Sequence, residues 1–187
     1  SNMVQTVKNY DERISTGIHT TERFMNQLSL NGYNDIAFKL IESHRFPSWL
    51  YSIDQGATTI WERWDGYVKG RGFQNPGMNS FNHYAIGAVG EWMYKHILGI
   101  RPDENKPGYQ HFFIEPKPGG SLTWAKGYYQ SIAGRIGVAW KQEGNHYIYE
   151  IEVPANSSAT LTLPTDTDIF EQGIPATNVK GVRLLQR

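Results

Sequence analysis

The sequence contains no cysteine among its 187 residues. This absence excludes a disulfide framework, a thiolate metal site and a cysteine nucleophile. No apolar run approaches the roughly 20 residues that a helix needs to cross a bilayer, so we expect no membrane span. Because a chain without thiols suits any redox environment, composition leaves the compartment open between the cytoplasm, the periplasm and secretion.

The sequence also lacks an excess of charge of either sign, since 18 Lys and Arg balance 18 Asp and Glu. The balance holds on both sides of residue 110, which argues against nucleic acid and against an anionic membrane as partners. No His-x-His or His-Glu-x-x-His spacing occurs, so nothing indicates a metal site or a cofactor. Aromatic residues are plentiful, and 11 of them lie between Phe46 and Tyr94.

Apolar residues recur at helical spacing in four segments of the first hundred residues. The predicted helices run from Thr20 to Asn31, from Asn34 to Ile41, from Ser48 to Asp54 and from Ser80 to Gly99. The connection between the last two, Gln55–Asn79, is about 25 residues long without an obvious element, and loops of this length usually carry function.

After Arg101 the pattern changes to the period-2 alternation of β-strands. The predicted strands are His111–Glu115, Leu122–Tyr129, Arg135–Lys141, His146–Val153 and Ala159–Leu163. Five short strands separated by turn signals predict an antiparallel β-sandwich. Since Pro102–Gly108 has the composition of a linker, we expect an α+β chain with a helical domain at residues 1–106 and a β-sandwich domain at 107–187.

The long connection contains the run Trp61-Glu62-Arg63-Trp64-Asp65. A carboxylate held among indole rings is partly removed from water, which suits it to acid–base chemistry near neutral pH. Indole faces also stack on the apolar face of a sugar ring, while carboxylates bind the hydroxyl groups. The run therefore indicates a carbohydrate site. Equally, it fits a surface turn in which Arg63 pairs with Asp65 and the indoles fill a groove.

Several blocks of the sequence resemble the bacterial α-L-rhamnosidases of glycoside hydrolase family 78. The blocks are Thr16–Arg23, Pro47–Trp49, Gly56–Asp65 and Met78–Tyr94, with Gly127–Tyr129 and Val153–Thr160 in the predicted β-half. The resemblance implies an (α/α)6 toroid followed by a β-sandwich, and hydrolysis of terminal α-L-rhamnosyl residues with inversion at the anomeric carbon. The expected binding partners are rhamnose-containing glycans or glycosides.

The resemblance also implies roles for individual residues. Glu62 stands where the family has its general base, and His83 stands where the family contacts a sugar hydroxyl. Without the resemblance, a histidine near the start of a helix more often forms structural hydrogen bonds than takes part in catalysis. Trp61 and Trp64 would form or support the wall of the rhamnose pocket.

The family's general acid lies in an upstream block with the pattern Cys-Pro-Gln-Arg-Asp-Glu-Arg, which this sequence lacks. Asp65 is too near Glu62 in sequence to replace it, because an inverting pair stands roughly 6.5–9.5 Å apart. A toroid of twelve helices also needs on the order of 250–400 residues. We therefore expect the last helices of a toroid and the sandwich that follows, a fragment that is inactive alone.

Two further expectations follow from this interpretation. As an alternative function, the aromatic strand Leu122–Tyr129 fits a non-catalytic carbohydrate-binding module. In addition, helices that lack their neighbours expose apolar stripes, and large apolar patches drive association. We expect the chain to self-associate.

Overall fold

The computed structural model describes residues 2–17, 20–165 and 167–182. The helices are α1 Asn2–Asn9, α2 Thr21–Leu30, α3 Asn34–Ile41, α4 Trp49–Asp54 and α5 Val89–Trp92. A 3₁₀ turn, Ala85–Ala88, precedes α5, and a π-helical turn, Met93–Ile97, follows it. None of the described helices is both long and apolar enough to cross a membrane.

The predicted helix starts are confirmed for α2, α3 and α4 to within one residue. Ser48 caps α4, because its hydroxyl accepts a hydrogen bond of 3.0 Å from the Tyr51 amide. The fourth predicted helix was placed too early, since helical geometry begins at Ala85 instead of Ser80. The backbone before it bends without regular structure and is tied to a distant part of the chain, since the His83 amide donates a 2.9 Å hydrogen bond to the Ile60 carbonyl.

The helical core lies between α2, α3 and α5. The Trp92 indole is fully buried at its centre, edge-on to Phe38 with ring centroids 5.3 Å apart. Its Nε1 donates a 2.8 Å hydrogen bond to the Ser29 hydroxyl, which satisfies the one polar atom of the ring. Burial of large apolar side chains at helical spacing, including Met25 and Leu28, therefore holds these helices together.

Two three-stranded sheets form the second half. One contains β3 Ile100–Pro102, β4 His111–Ile114 and β8 Ser158–Leu161, and the other contains β5 Trp124–Ser131, β6 Gly134–Glu143 and β7 His146–Glu152. Two short hairpins are also present, β1 Tyr67–Val68 with β2 Gly72–Phe73 and β9 Phe170–Glu171 with β10 Ile174–Pro175. The predicted α+β order, helices followed by a β-sandwich, is confirmed. One pair differs from an antiparallel sandwich, because β4 and β8 run parallel.

The two sheets pack through alternate residues of β6. Ile136 and Val138 are buried against Phe112 and Ile114 of the facing sheet. Trp140, the next residue on that face, joins the helical core instead, and its Nε1 donates a 2.8 Å hydrogen bond to the Ile97 carbonyl. The inner face of this sheet therefore covers both the other sheet and the helices.

The domain boundary between residues 106 and 107 stays a prediction. Strand β3 lies before that point in the sequence and pairs with β4 after it, with Ile100 opposite Ile114.

Candidate functional site

Two segments without regular secondary structure meet beside the start of the 3₁₀ turn. The Glu62 amide donates a 2.9 Å hydrogen bond to the Ser80 carbonyl, and the His83 amide donates one of 2.9 Å to the Ile60 carbonyl. We call the two segments, residues 59–66 and 79–83, the clasp. Because Ile60 and Glu62 are both tied to the segment that precedes the 3₁₀ turn, the run around Glu62 has a fixed backbone instead of a free loop.

The clasp is closed at its far end by Asn79. The Asn79 side-chain amide donates a 2.7 Å hydrogen bond to the Gly66 carbonyl. A Cβ atom at Gly66 would lie 3.2 Å from both the Asn79 Oδ1 atom and the Phe81 ring, closer than most packed atoms lie. The absence of a side chain at Gly66 therefore allows the two segments to approach.

A cleft of about 300 Å³ opens beside the clasp. It is lined by Thr16, Gly17, Glu62, Arg63, Trp64, Asp65 and Ile86. This volume is at the lower end of the range for small-molecule sites, and it suits a single sugar ring.

Glu62 is half-buried at the edge of this cleft. In the part of the chain that the structure describes, its carboxylate has no hydrogen-bond or ion-pair partner. The chain turns over residues 63–66, where the Gly66 amide donates a 3.2 Å hydrogen bond to the Arg63 carbonyl. Among the described side chains Arg63 does not pair with Asp65 but donates a 3.0 Å hydrogen bond to the Gln74 side chain. Within residues 2–17, 20–165 and 167–182, no group of three or more acidic or histidine side chains could hold a metal ion.

The two indoles of the run lie in different surroundings. Trp64 lines the cleft and packs edge-on against Trp49 of the helical core, with ring centroids 5.1 Å apart. Trp61 is only 8% exposed and packs edge-on against Phe81 of the clasp, also at 5.1 Å. The structure therefore brings Glu62 and Trp64 together at the cleft and places Trp61 in the packing behind it.

His83 lies in the clasp, outside the set of residues that line the cleft. Its Nδ1 accepts a 3.3 Å hydrogen bond from the Ala85 amide, and its ring stacks on that of Tyr84 with centroids 5.5 Å apart. An Nδ1 that accepts leaves Nε2 to carry the proton of the neutral ring. The imidazole therefore presents a hydrogen-bond donor at Nε2.

Sequence reasoning did not identify Thr16, Gly17 and Ile86 as cleft residues. Ile86 is placed by the core, because its carbonyl accepts a 3.1 Å hydrogen bond from the Trp49 indole. Thr16 and Gly17 precede α2 and approach the cleft from a distant part of the sequence. The only signal in the sequence was their position inside blocks that carry the family resemblance.

Two family models together match most of this chain. The family described as bacterial alpha-L-rhamnosidase 6 hairpin glycosidase domain matches residues 1–97, and the bacterial alpha-L-rhamnosidase C-terminal domain matches residues 99–173. An alpha-L-rhamnosidase of Streptomyces avermitilis is 42% identical over 88% of this chain and 16% of its own length. One of Formosa agariphila is 40% identical over 98% of this chain and 20% of its own length.

Solved structures give the same result. The crystal structure of the Streptomyces avermitilis alpha-L-rhamnosidase complexed with L-rhamnose matches with a TM-score of 0.82, 42% identity and coverage of 88% of this chain and 16% of that one. The alpha-L-rhamnosidase from Dictyoglumus thermophilum matches with a TM-score of 0.79, 32% identity and coverage of 94% and 19%. The chain thus spans a fifth or less of these relatives. It belongs to the bacterial α-L-rhamnosidase family and corresponds to a C-terminal portion of its much longer members.

Proposed function

We propose that this chain supplies the general base and part of the sugar pocket of an inverting α-L-rhamnosidase that hydrolyses terminal α-L-rhamnosyl residues. The observation that carries the proposal is the Glu62 carboxylate, which faces a cleft the size of one sugar ring and has no partner among the described side chains. A base needs such a free carboxylate, because its oxygen must accept a proton from water.

In the proposed reaction, Glu62 takes a proton from a water molecule as its oxygen attacks the anomeric carbon of the rhamnosyl group. The bond to the leaving oxygen breaks on the opposite face of the ring, and a general acid protonates that oxygen. Asp65 follows Glu62 by three residues in the same short run, so the two carboxylates cannot stand on either side of the sugar. We place the general acid outside these 187 residues.

The remaining site residues orient the sugar in this proposal. Trp64 forms an apolar wall of the cleft beside Glu62, and Trp61 supports the clasp from behind through its contact with Phe81. His83 donates from Nε2 to a hydroxyl group of the rhamnosyl residue, since its Nδ1 already accepts from the Ala85 amide. Rhamnose-containing glycans or glycosides are the substrates that such a pocket would take.

A chimera of the Streptomyces avermitilis enzyme tests the role of Glu62. The residues of this chain replace the matching segment of that relative, and turnover of an aryl α-L-rhamnoside is measured. Glu62→Gln keeps the size of the side chain and removes the basic oxygen, so we expect kcat to fall by about 10²–10⁴-fold. The KM should change little, because the amide still fills the cleft.

Asp65→Asn in the same chimera is the matched control. It changes the other cleft carboxylate, and we expect a loss of kcat far smaller than that of Glu62→Gln. A chimera in which Glu62→Gln retains near-normal kcat would remove the base from this position. If the chain is instead a non-catalytic carbohydrate-binding module, Glu62→Gln should leave kcat near normal, because binding a sugar does not require a base.

A further inference from the structure

The sheet β5-β6-β7 has one face that does not pack on the core. Ile136, Val138 and Trp140 point inward from β6, so the residues between them point outward. The strand register places two rows of side chains across this outer face. One row is Trp124, Lys141 and Ile148, and the next is Lys126, Ala139 and Glu150.

These six residues surround a second cavity, of about 250 Å³. Ala139 forms its floor, because its small side chain lies on the central strand between longer side chains of both neighbours. Lys126 and Glu150 flank the floor on β5 and β7, two inter-strand spacings or about 10 Å apart between their Cα atoms. This width admits one sugar ring lying flat on the sheet.

Trp124 bounds the cavity at one end. Its side chain is 65% exposed, and no ring contact, cation–π contact or hydrogen bond engages it within the described part of the chain. Most other large aromatic side chains of this sheet are engaged: Trp140 is buried, Tyr128 lies under the Arg135 guanidinium at 4.4 Å, and Tyr129 packs on Tyr109. An indole face left free beside a cavity is suited to stack on the C–H face of a pyranose ring.

The far end of the outer face is closed to a ligand. Arg135 forms an ion pair of 3.3 Å with Glu152 and covers the Tyr128 ring. These three side chains contact one another and are not free to bind a ligand. The open part of the face is therefore confined to the Trp124 end, which limits a ligand to about one or two rings.

The charges around the cavity favour a neutral ligand. Lys141 is already paired with Glu143 at 2.5 Å. Glu150 also lies close enough to the Lys141 ammonium to help raise the pKa of that lysine. Lys126 and Glu150 offer one donor and one acceptor on opposite sides of the floor. Sugar hydroxyl groups accept from an ammonium and donate to a carboxylate, whereas a sugar acid would meet the Glu150 charge.

We propose that the cavity beside Trp124 binds a neutral pyranose unit of a glycan, as a second sugar site on the β-sandwich. The indole stacks on the ring, and Lys126 and Glu150 bind its hydroxyl groups. The site is separate from the Glu62 cleft, and its binding needs no catalytic group. A test of this second site therefore does not depend on whether Glu62 is the general base.

A nitrogen-15 NMR titration of the 187-residue chain tests this site. The indole N–H signal of Trp124 is identified by its loss in Trp124→Phe, and L-rhamnose, methyl β-D-glucopyranoside and D-galacturonate are added in turn. We expect at least one of the two neutral sugars to shift this signal with saturation, and D-galacturonate to bind at least about tenfold more weakly. Glu150→Gln should weaken binding by about three- to tenfold.

Trp124→Ala should weaken binding by at least about tenfold, followed through the backbone signals of β6. The matched control is Ile132→Ala, at a 91% exposed apolar residue of the β5–β6 turn, which should leave the affinity within about twofold. Circular dichroism shows whether each variant is folded, and Trp124→Phe keeps a ring if Trp124→Ala does not fold.

Three results would overturn the second site. One is a folded chain whose Trp124 signal responds to neither neutral sugar. Another is tighter binding of D-galacturonate than of the neutral sugars. The third is sugar binding that survives Trp124→Ala and disappears in His83→Ala, since that binding would belong to the rhamnosyl pocket proposed around Glu62 and His83.

Discussion

At the scale of single residues, the surroundings of His96 strongly change the pKa of its imidazole. It is 3% exposed at the end of the helical stretch, close to the Trp92 ring. Burial is the main cause that lowers its pKa, to about 4, and the nearby cations Lys117 and Arg101 add to the effect. The neutral imidazole is therefore the form that the folded chain accepts.

Stability should fall in mild acid because of His96. Its pKa is about 4 in the folded chain, below the ordinary value of 6.5, so the unfolded chain binds more protons between these two values. The contribution of His96 to the free energy of unfolding should not change with pH above 6.5. As the pH falls towards 4, this contribution should lower the free energy of unfolding by up to about 3 kcal/mol. Urea unfolding at a series of pH values measures this.

Two variants distinguish the contribution of His96 to the pH dependence of stability from that of other titrating groups. His96→Gln should reduce the pH dependence over this interval, whereas His146→Gln, at an exposed position of β7, should leave it unchanged. Identical pH dependence in all three proteins would show that His96 is not the cause.

At the scale of elements, the five strands β4 to β8 were predictable to within a few residues, because alternation and turn glycines are local signals. The short strand β3 and the two small hairpins were not predicted. The start of the last helix was not predictable, since Ser80 and His83 use their backbone groups for hydrogen bonds to the distant segment around Glu62. No helical periodicity reveals such a non-local pairing. The same hydrogen bonds orient the segment so that Trp64, and not Trp61, lines the cleft. The sequence has a tryptophan on either side of the Glu62–Arg63 pair and therefore could not distinguish the two.

Two glycines of this region should respond oppositely to replacement by alanine. Gly99 has φ +80°, and a Cβ there would lie 2.2 Å from the Glu115 carbonyl carbon, so Gly99→Ala should destabilise by more than about 2 kcal/mol. Gly90 lies within α5 with open space around it, so Gly90→Ala should stabilise by about 0.5–1 kcal/mol. Thermal unfolding of both variants measures the difference, and equal effects would contradict the close approach of backbone at Gly99.

At the scale of the whole molecule, the helical half leaves several large apolar side chains in water. The most exposed of the described ones are Tyr84 at 86%, Met78, Phe73, Leu30 and Ile53. Soluble monomers rarely gather such residues in large patches. The order of helices and sandwich was predictable from sequence, but which apolar residues remain uncovered depends on how the helices pack.

The exposed apolar side chains lead us to expect self-association. Light scattering after size exclusion should show species larger than 21.3 kDa at tens of micromolar. Replacing Leu30 and Ile53 by Gln should shift the population towards monomer, because both side chains are exposed and their loss costs the core little. A monodisperse monomer of the unmodified chain at that concentration would contradict this expectation.

The central claim concerns how Glu62 acts, and azide tests it most directly. In the Glu62→Gln chimera, azide can enter the space of the attacking water and needs no base, while the general acid still protonates the leaving group. We expect azide to restore turnover and to give β-L-rhamnosyl azide, the inverted product, as identified by proton NMR of the anomeric centre. An α-L-rhamnosyl azide, or a chimera whose turnover azide leaves unrestored, would contradict the role of Glu62 as the base of an inverting reaction.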